Sequence, residues 1–125
     1  MKKLLILAAL AEAGTGLLLL AYPPIVVRLL FGEEIVGAGI IMSRLVGIAL
    51  IGLGVACWPG DDTRRAFYGM LTYSLLAMLY LIVVGFGGQA GILLWPAVFV
   101  HAGLAILLVR AHSTQRKTNI VVGGI

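Results

Sequence analysis

The chain has 125 residues, of which 62% are hydrophobic and 11% are charged, and its formal net charge is +4. A soluble core of this size has no room for so much apolar surface, so the composition predicts a protein solvated mainly by lipid. The basic charge does not indicate nucleic-acid binding, because Lys and Arg cluster at the ends of apolar segments. Cys57 is the single cysteine, which excludes an intrachain disulfide and a multi-cysteine metal site.

The first apolar segment, residues 4–22, has the length of one membrane crossing. A bilayer core of about 30 Å needs about 20 apolar residues in a helix. Two lysines precede this segment, and Ala11-Glu12-Ala13 has the outline of a signal-peptide cleavage site. The apolar run continues well beyond that site, so we expect an uncleaved transmembrane helix that stops at Pro23-Pro24.

A short connector and a glycine-containing span follow. Residues 25–32 are too few to cross a bilayer and are predicted to form a two-turn helix on the membrane surface, ended by a glycine. The second span, residues 36–58, carries Gly39, Ser43 and Gly47 at intervals of four. Small side chains therefore line one face, where we expect a neighbouring helix to approach closely.

Turn residues separate the second span from the third, which covers residues 66–86. The sequence Pro-Gly-Asp-Asp at 59–62 has the composition of a turn. Asp and Thr are preferred at helix N-caps, so we expect Asp61, Asp62 or Thr63 to cap the third helix.

A glycine-rich turn leads to the fourth span, residues 91–109, where Pro96 either sets the first helical turn or kinks the helix. Residues 111–125 are basic and polar and are predicted to form a flexible tail. The sequence thus predicts an all-α integral membrane protein with a single domain, residues 1–125. Its four transmembrane helices form an up-down bundle, with a short interfacial helix between helices 1 and 2.

The charges predict the orientation of this bundle. If both termini are cytoplasmic, Arg28 is the only basic residue on the opposite side and Arg44 lies within the second span. Cytoplasmic loops of membrane proteins carry an excess of Lys and Arg, so we expect a multi-pass protein of the bacterial inner membrane with both termini in the cytoplasm. The cytoplasmic residues are then Lys2, Lys3, Arg64, Arg65, Arg110, Arg116 and Lys117.

Polar side chains from all four spans fall at similar predicted depths. Residue counts place Glu12 and His101 near the midplane and Arg44 about 4 to 5 Å outward of it. A lone charge in lipid costs about 2.5 to 3.5 kcal/mol, so we expect Glu12 and Arg44 to face inward and form an ion pair. Gly16, one turn after Glu12, lets a neighbouring backbone come close. The candidate polar site contains Glu12, Thr15, Ser43, Arg44, Tyr73, Tyr80 and His101.

Two interpretations of this layer remain open: a polar network that fixes helix register, or a site for a ligand or proton. A metal site would need a further ligand near His101, and Cys57 has no base beside it in sequence, which favours a packing role. We therefore expect no metal, no cofactor and no enzymatic activity. The expected partners are the lipid bilayer and either a second copy of the chain or a larger membrane complex, not nucleic acid.

The layout resembles that of the DoxX-like small four-helix bacterial membrane proteins. The resemblance covers most of the chain and rests on the basic N-terminus, the four spans, the proline-broken first connection and Ser43-Arg-Leu-Val-Gly47. Because that group includes accessory subunits of membrane oxidoreductases, the resemblance implies a structural or accessory role.

The segment Leu10-Ala-Glu-Ala-Gly-Thr15 is similar to the first helix of the small multidrug resistance exporters, which are four-helix proton-coupled antiporters with a glutamate in mid-helix. This second resemblance implies a proton-coupled transporter or binder of a small or lipophilic molecule that uses Glu12 and His101. Arg44 and the connector helix depart from that family's pattern.

Overall fold

The computed structural model describes residues 1–124, which form five α-helices and no strand. Four of these helices, all except the second, are long and apolar enough to cross a membrane. The predicted all-α architecture and its four candidate spans are confirmed. In chain order the helices are α1 (Lys2–Ala21), α2 (Pro23–Phe31), α3 (Ala38–Ala56), α4 (Thr63–Phe86) and α5 (Leu94–Gly123).

Local sequence signals account for the helix ends around α2 and α4. α1 stops just before the two prolines, and Pro23 becomes the first residue of α2, where a missing amide N–H is tolerated. Gly32 ends α2 in the left-handed conformation, with φ of 70°, which glycine adopts without strain. The backbone N–H of Arg64 donates to Asp62 Oδ1 over 3.1 Å, so Asp62 is the residue that caps α4.

The tail is where the structure departs most from the predicted elements. α5 continues to Gly123, so residues 111–123, for which the sequence predicts a flexible tail, are helical, while Ile125 lies outside the described residues. This stretch holds no proline or glycine before residue 123, so nothing in it breaks a helix. Pro96 is the third residue of α5, in the first turn, where no intrahelical bond needs its amide.

The helices associate as two antiparallel pairs, α1 with α3 and α4 with α5. The first pair is held at very short range: a Cβ added to Gly16 would lie 2.5 Å from the Gly47 carbonyl oxygen, and one added to Gly54 would lie 2.8 Å from that of Ala9. Only hydrogen in place of a side chain permits backbones to approach this closely. These contacts fix the register of α1 on α3.

Gly39 does not contribute to this interface. A Cβ at Gly39 would meet only Ile35, on the same stretch of chain. In the register set by Gly16 and Gly47, Gly39 lies beyond the C-terminal end of α1, so no backbone stands opposite it. Gly39 is therefore not a helix-packing residue. Gly54 makes the close contact with a neighbouring helix that the sequence pattern predicts for Gly39.

Two apolar clusters link the helix pairs. At the end where α1 and α4 begin, which we call the basic end, the first cluster is centred on Phe67 and Met70 of α4. At the opposite end, which we call the α2 end, Val26 of α2 packs with Leu19 and Leu50. The basic-end cluster consists of Leu5, Ala8, Cys57, Ala66, Phe67, Met70 and Leu108.

Candidate functional site

Glu12 is buried in the middle of α1, with 7% of its surface exposed. It lies on the face of α1 that also buries Leu5, Ala8 and Leu19, because residues three, four and seven apart share one side of a helix. The carboxylate lies near the Tyr73 hydroxyl of α4, which is chemically able to donate to it, although the side-chain hydrogen bonds formed within residues 1–124 do not include this pair. Glu12 thus connects the α1–α3 pair to the α4–α5 pair.

Tyr73 in turn contacts His101 of α5. The centroids of the two rings are 5.6 Å apart and their planes are 78° from parallel, an edge-to-face arrangement. Tyr73 therefore lies between a carboxylate and an imidazole. We call Glu12, Tyr73 and His101 the polar cluster; its members come from three different helices and from both helix pairs.

Two buried side-chain polar atoms on these helices have no hydrogen-bond partner among residues 1–124: Ser74 Oγ and His101 Nδ1. Leaving a buried polar group unpaired costs about 1 to 3 kcal/mol. Each of these two atoms is therefore a position at which a further hydrogen bond would be favourable. Sequence reasoning missed Ser74, which is fully buried. The sequence feature that could have identified Ser74 is its spacing from Phe67 and Met70, which places the three residues on one buried face of α4.

Arg44 does not pair with Glu12. Its side chain is exposed, and the ion pairs within residues 1–124 are Arg28–Glu34 and Arg65–Asp62. The predicted ion pair is wrong because the contact of Gly16 with Gly47 sets Arg44 opposite Leu19. At about 1.5 Å of rise per residue, that is about 10 Å along the bundle from Glu12.

The other predicted site residues also lie outside the polar cluster. The Thr15 hydroxyl donates to the Ala11 carbonyl of its own helix over 2.9 Å. Ser43 is half-buried, one residue before Arg44 and two turns away from the level of Glu12. Tyr80 is 68% exposed. Of the seven predicted residues, the structure brings together Glu12, Tyr73 and His101, and α3 adds no polar group to them.

The surroundings of the polar cluster are apolar. It lies between the basic-end cluster and the α2-end cluster, to which Tyr73 itself belongs as a partly buried member. Two shallow apolar grooves run along the outer surface, one beside Gly54 and Trp58 and the other beside Leu75 and Ile106. Neither groove is lined by a member of the polar cluster.

The part of the chain that the structure describes contains no group of three or more His, Cys, Asp and Glu side chains that could hold a metal ion. What the polar cluster offers chemically is a carboxylate, a phenol and an imidazole in one row, the groups that stabilise helix contacts and also exchange protons. Comparison of the chain with protein-family models, with curated proteins and with solved structures finds no match.

Proposed function

We propose that this chain is an integral, multi-pass protein of the bacterial inner membrane. Its four long helices turn large apolar side chains outward, among them Leu7, Val83, Phe86 and Phe99, which are 67% to 81% exposed. Apolar surface on that scale is unfavourable in water but is the ordinary outer surface of a helix in lipid. Extraction by detergent, but not by high salt or alkaline carbonate, tests this placement.

The distribution of charge supports cytoplasmic termini. α1 and α4 begin at the same end because Leu5 packs with Phe67, and His112 of α5 stacks on Phe67 there as well. The cationic residues of all three helices therefore gather at the basic end, which the positive-inside rule assigns to the cytoplasm. Arg44 lies about 9 Å along α3 from its start, close enough for its long side chain to reach the opposite interface.

Within that membrane we propose a structural or accessory role, which is also what the resemblance to the DoxX-like proteins implies. The observation that supports it is the position of the polar cluster, which joins the two helix pairs between two apolar clusters and lines neither of the two surface grooves described above. Polar contacts between transmembrane helices fix their register. The partners are the lipid bilayer and a second copy of this chain or a larger membrane complex, and neither catalysis nor a cofactor is part of the proposal.

A double-mutant cycle on Glu12 and Tyr73 tests this role. Glu12→Gln removes the charge at nearly constant shape, and Tyr73→Phe removes only the hydroxyl that faces it. Each is expected to lower the free energy of unfolding in detergent by about 0.5 to 1.7 kcal/mol, the usual range for polar contacts between membrane helices. The double variant is expected to lose less than the sum, because both substitutions remove the same contact.

Tyr80→Phe is the matched control, since Tyr80 is an exposed tyrosine of the same helix. It should leave the unfolding midpoint unchanged. Additive losses from Glu12→Gln and Tyr73→Phe, or a Tyr73→Phe variant as stable as Tyr80→Phe, would contradict a structural role for the polar cluster.

A proton-coupled transporter or binder is the second candidate, and the unpartnered atoms Ser74 Oγ and His101 Nδ1 favour it. Intramembrane carboxylates and histidines commonly take part in proton relays. In liposomes enclosing a pH-sensitive dye, this candidate predicts proton flux that Glu12→Gln abolishes while Tyr80→Phe retains it. Flux no greater than that of empty liposomes, or flux unchanged by Glu12→Gln, would rule it out and leave the structural role.

A further inference from the structure

α2 packs against α1, α3 and α5 at the α2 end of the bundle. Its buried face carries Val26, which packs with Leu19 and Leu50, and the same group includes Leu30 and Tyr73. Tyr73, a member of the polar cluster, contacts His101 and also packs against the α2-end cluster. Apolar side chains of this cluster therefore connect α2 with Tyr73.

The far end of α2 is tied to the loop between α4 and α5. The N–H of Gly91 donates to the Leu30 carbonyl over 2.9 Å, and the N–H of Leu93 donates to that of Leu29 over 2.7 Å. These bonds satisfy carbonyls that the last turn of a helix leaves unpaired. A Cβ at Gly91 would lie 2.7 Å from the Arg28 carbonyl oxygen and closer still to that of Leu29, so the two hydrogen bonds require glycine at this position.

Non-helical residues bound α2 on both sides. Tyr22, between α1 and α2, has φ of −145° and ψ of 75°, and Gly32, after α2, has φ of 70°. The next helix begins only after Gly37, which also has positive φ, 56°. A nine-residue helix between such points moves as a unit when its contacts are released, as lids do in many proteins.

We propose that α2 is a lid over the polar cluster, held closed by its hydrogen bonds to Gly91 and Leu93, and that release of these bonds admits water and protons to Glu12 and His101 from the α2 end. This proposal concerns access to the polar cluster, and it does not depend on the structural role proposed above. The closed lid keeps the polar cluster in apolar surroundings. The open lid connects it to one side of the membrane only.

Thiol labelling beneath the lid tests the proposal. In a Cys57→Ala background, Leu50→Cys places a thiol under Val26, at a position that is 7% exposed. Val36→Cys, at an 82% exposed position, identifies the side of the membrane that faces the α2 end. A small charged, membrane-impermeant thiol reagent is then added to sealed vesicles of either orientation, and the labelling rate is measured.

The Leu50→Cys thiol is expected to react at least about tenfold more slowly than the Val36→Cys thiol, because buried thiols are inert. Adding Gly91→Ala, which breaks the two hydrogen bonds, should raise its rate several-fold, and only from the side on which Val36→Cys reacts. Gly103→Ala is the control, since a Cβ there meets nothing within 4 Å. It should leave the rate unchanged.

Leu30→Ala loosens the lid by a different route and covers the case in which Gly91→Ala fails to fold. It shortens a side chain by which α2 packs on the α2-end cluster, while the backbone hydrogen bonds of Leu30 stay in place. It too should raise the labelling rate. Equal rates for Leu50→Cys and Val36→Cys, no increase in the folded lid variants, or an increase from the basic end would each overturn the proposal. Each of these outcomes is separate from the Glu12–Tyr73 cycle, so the lid and the structural role can fail independently.

Discussion

Gly47→Ala is expected to destabilise the protein by about 1 to 3 kcal/mol, the usual effect of adding a methyl group to a packed interior. A Cβ at Gly47 would lie 2.6 Å from the Gly16 carbonyl oxygen and 2.9 Å from the Leu20 backbone nitrogen. Both atoms belong to the backbone of α1, so neither can rotate away, and the two helices must separate. The measurement is the unfolding midpoint in detergent, followed by loss of the monodisperse species on heating.

Gly14 and Gly52 provide matched controls on the same two helices. A Cβ at either position meets nothing within 4 Å. Alanine is favoured over glycine in helices by about 0.8 to 1.0 kcal/mol, so Gly14→Ala and Gly52→Ala should leave stability unchanged or raise it. The same Gly→Ala substitution is thus expected to lower stability at Gly47 and to preserve or raise it at Gly14 and Gly52. If Gly47→Ala proved as stable as Gly52→Ala, the close approach of α1 and α3 would be contradicted.

Phe67→Ala is expected to cost about 3 kcal/mol, the lower end of the usual range for this substitution in a core. Phe67 is 2% exposed, and its ring stacks on that of His112 with centroids 4.4 Å apart and planes 11° from parallel. The lower end applies under the membrane placement proposed above, because a side chain removed from a bundle in lipid forfeits packing without a full gain in contact with water. The measurement is again the free energy of unfolding in detergent.

The same variant reports on the end of α5. His112 lies in the part of α5 beyond Arg110, so removal of the Phe67 ring should also free that part, and trypsin should cut faster after Arg116 and Lys117. Phe99→Ala is the control, because Phe99 is 72% exposed on the same α5 and covers no core residue. Equal losses for Phe67→Ala and Phe99→Ala would mean that the basic-end cluster contributes nothing to stability.

The elements of this fold were accessible from sequence because each has a local cause. Span length and hydropathy define the four long helices, the proline pair ends α1, and Gly32 ends α2. Glu12 could be identified as buried and in need of partners from its position alone, since a carboxylate amid apolar residues has few alternatives. Tyr73 and His101 followed from the same count of depth.

The register between helices was not accessible in this way. Arg44 was predicted to lie near the midplane from the ends of its own span, but the level of a residue is set by which backbones touch. The small residues of α3 allow two stripes, one through Gly39 and one through Gly54. The position at which α1 ends determines which of the two stripes packs against it. The sequence of α3 does not reveal that position. The stacking of His112, near the start of residues 111–123, on Phe67 is likewise a contact across the bundle that no local pattern reveals.

The two helix pairs also determine an order of assembly. α1 and α3 lie within residues 2–56, and α4 and α5 within residues 63–123, so each pair is made of segments that are neighbours in the chain. Contacts between such segments form early, and the first pair is complete before the ribosome has made the second. Glu12 lacks its neighbour Tyr73 until α4 has been made. Tyr73 is then among the side chains through which the α4–α5 pair packs on the α1–α3 pair.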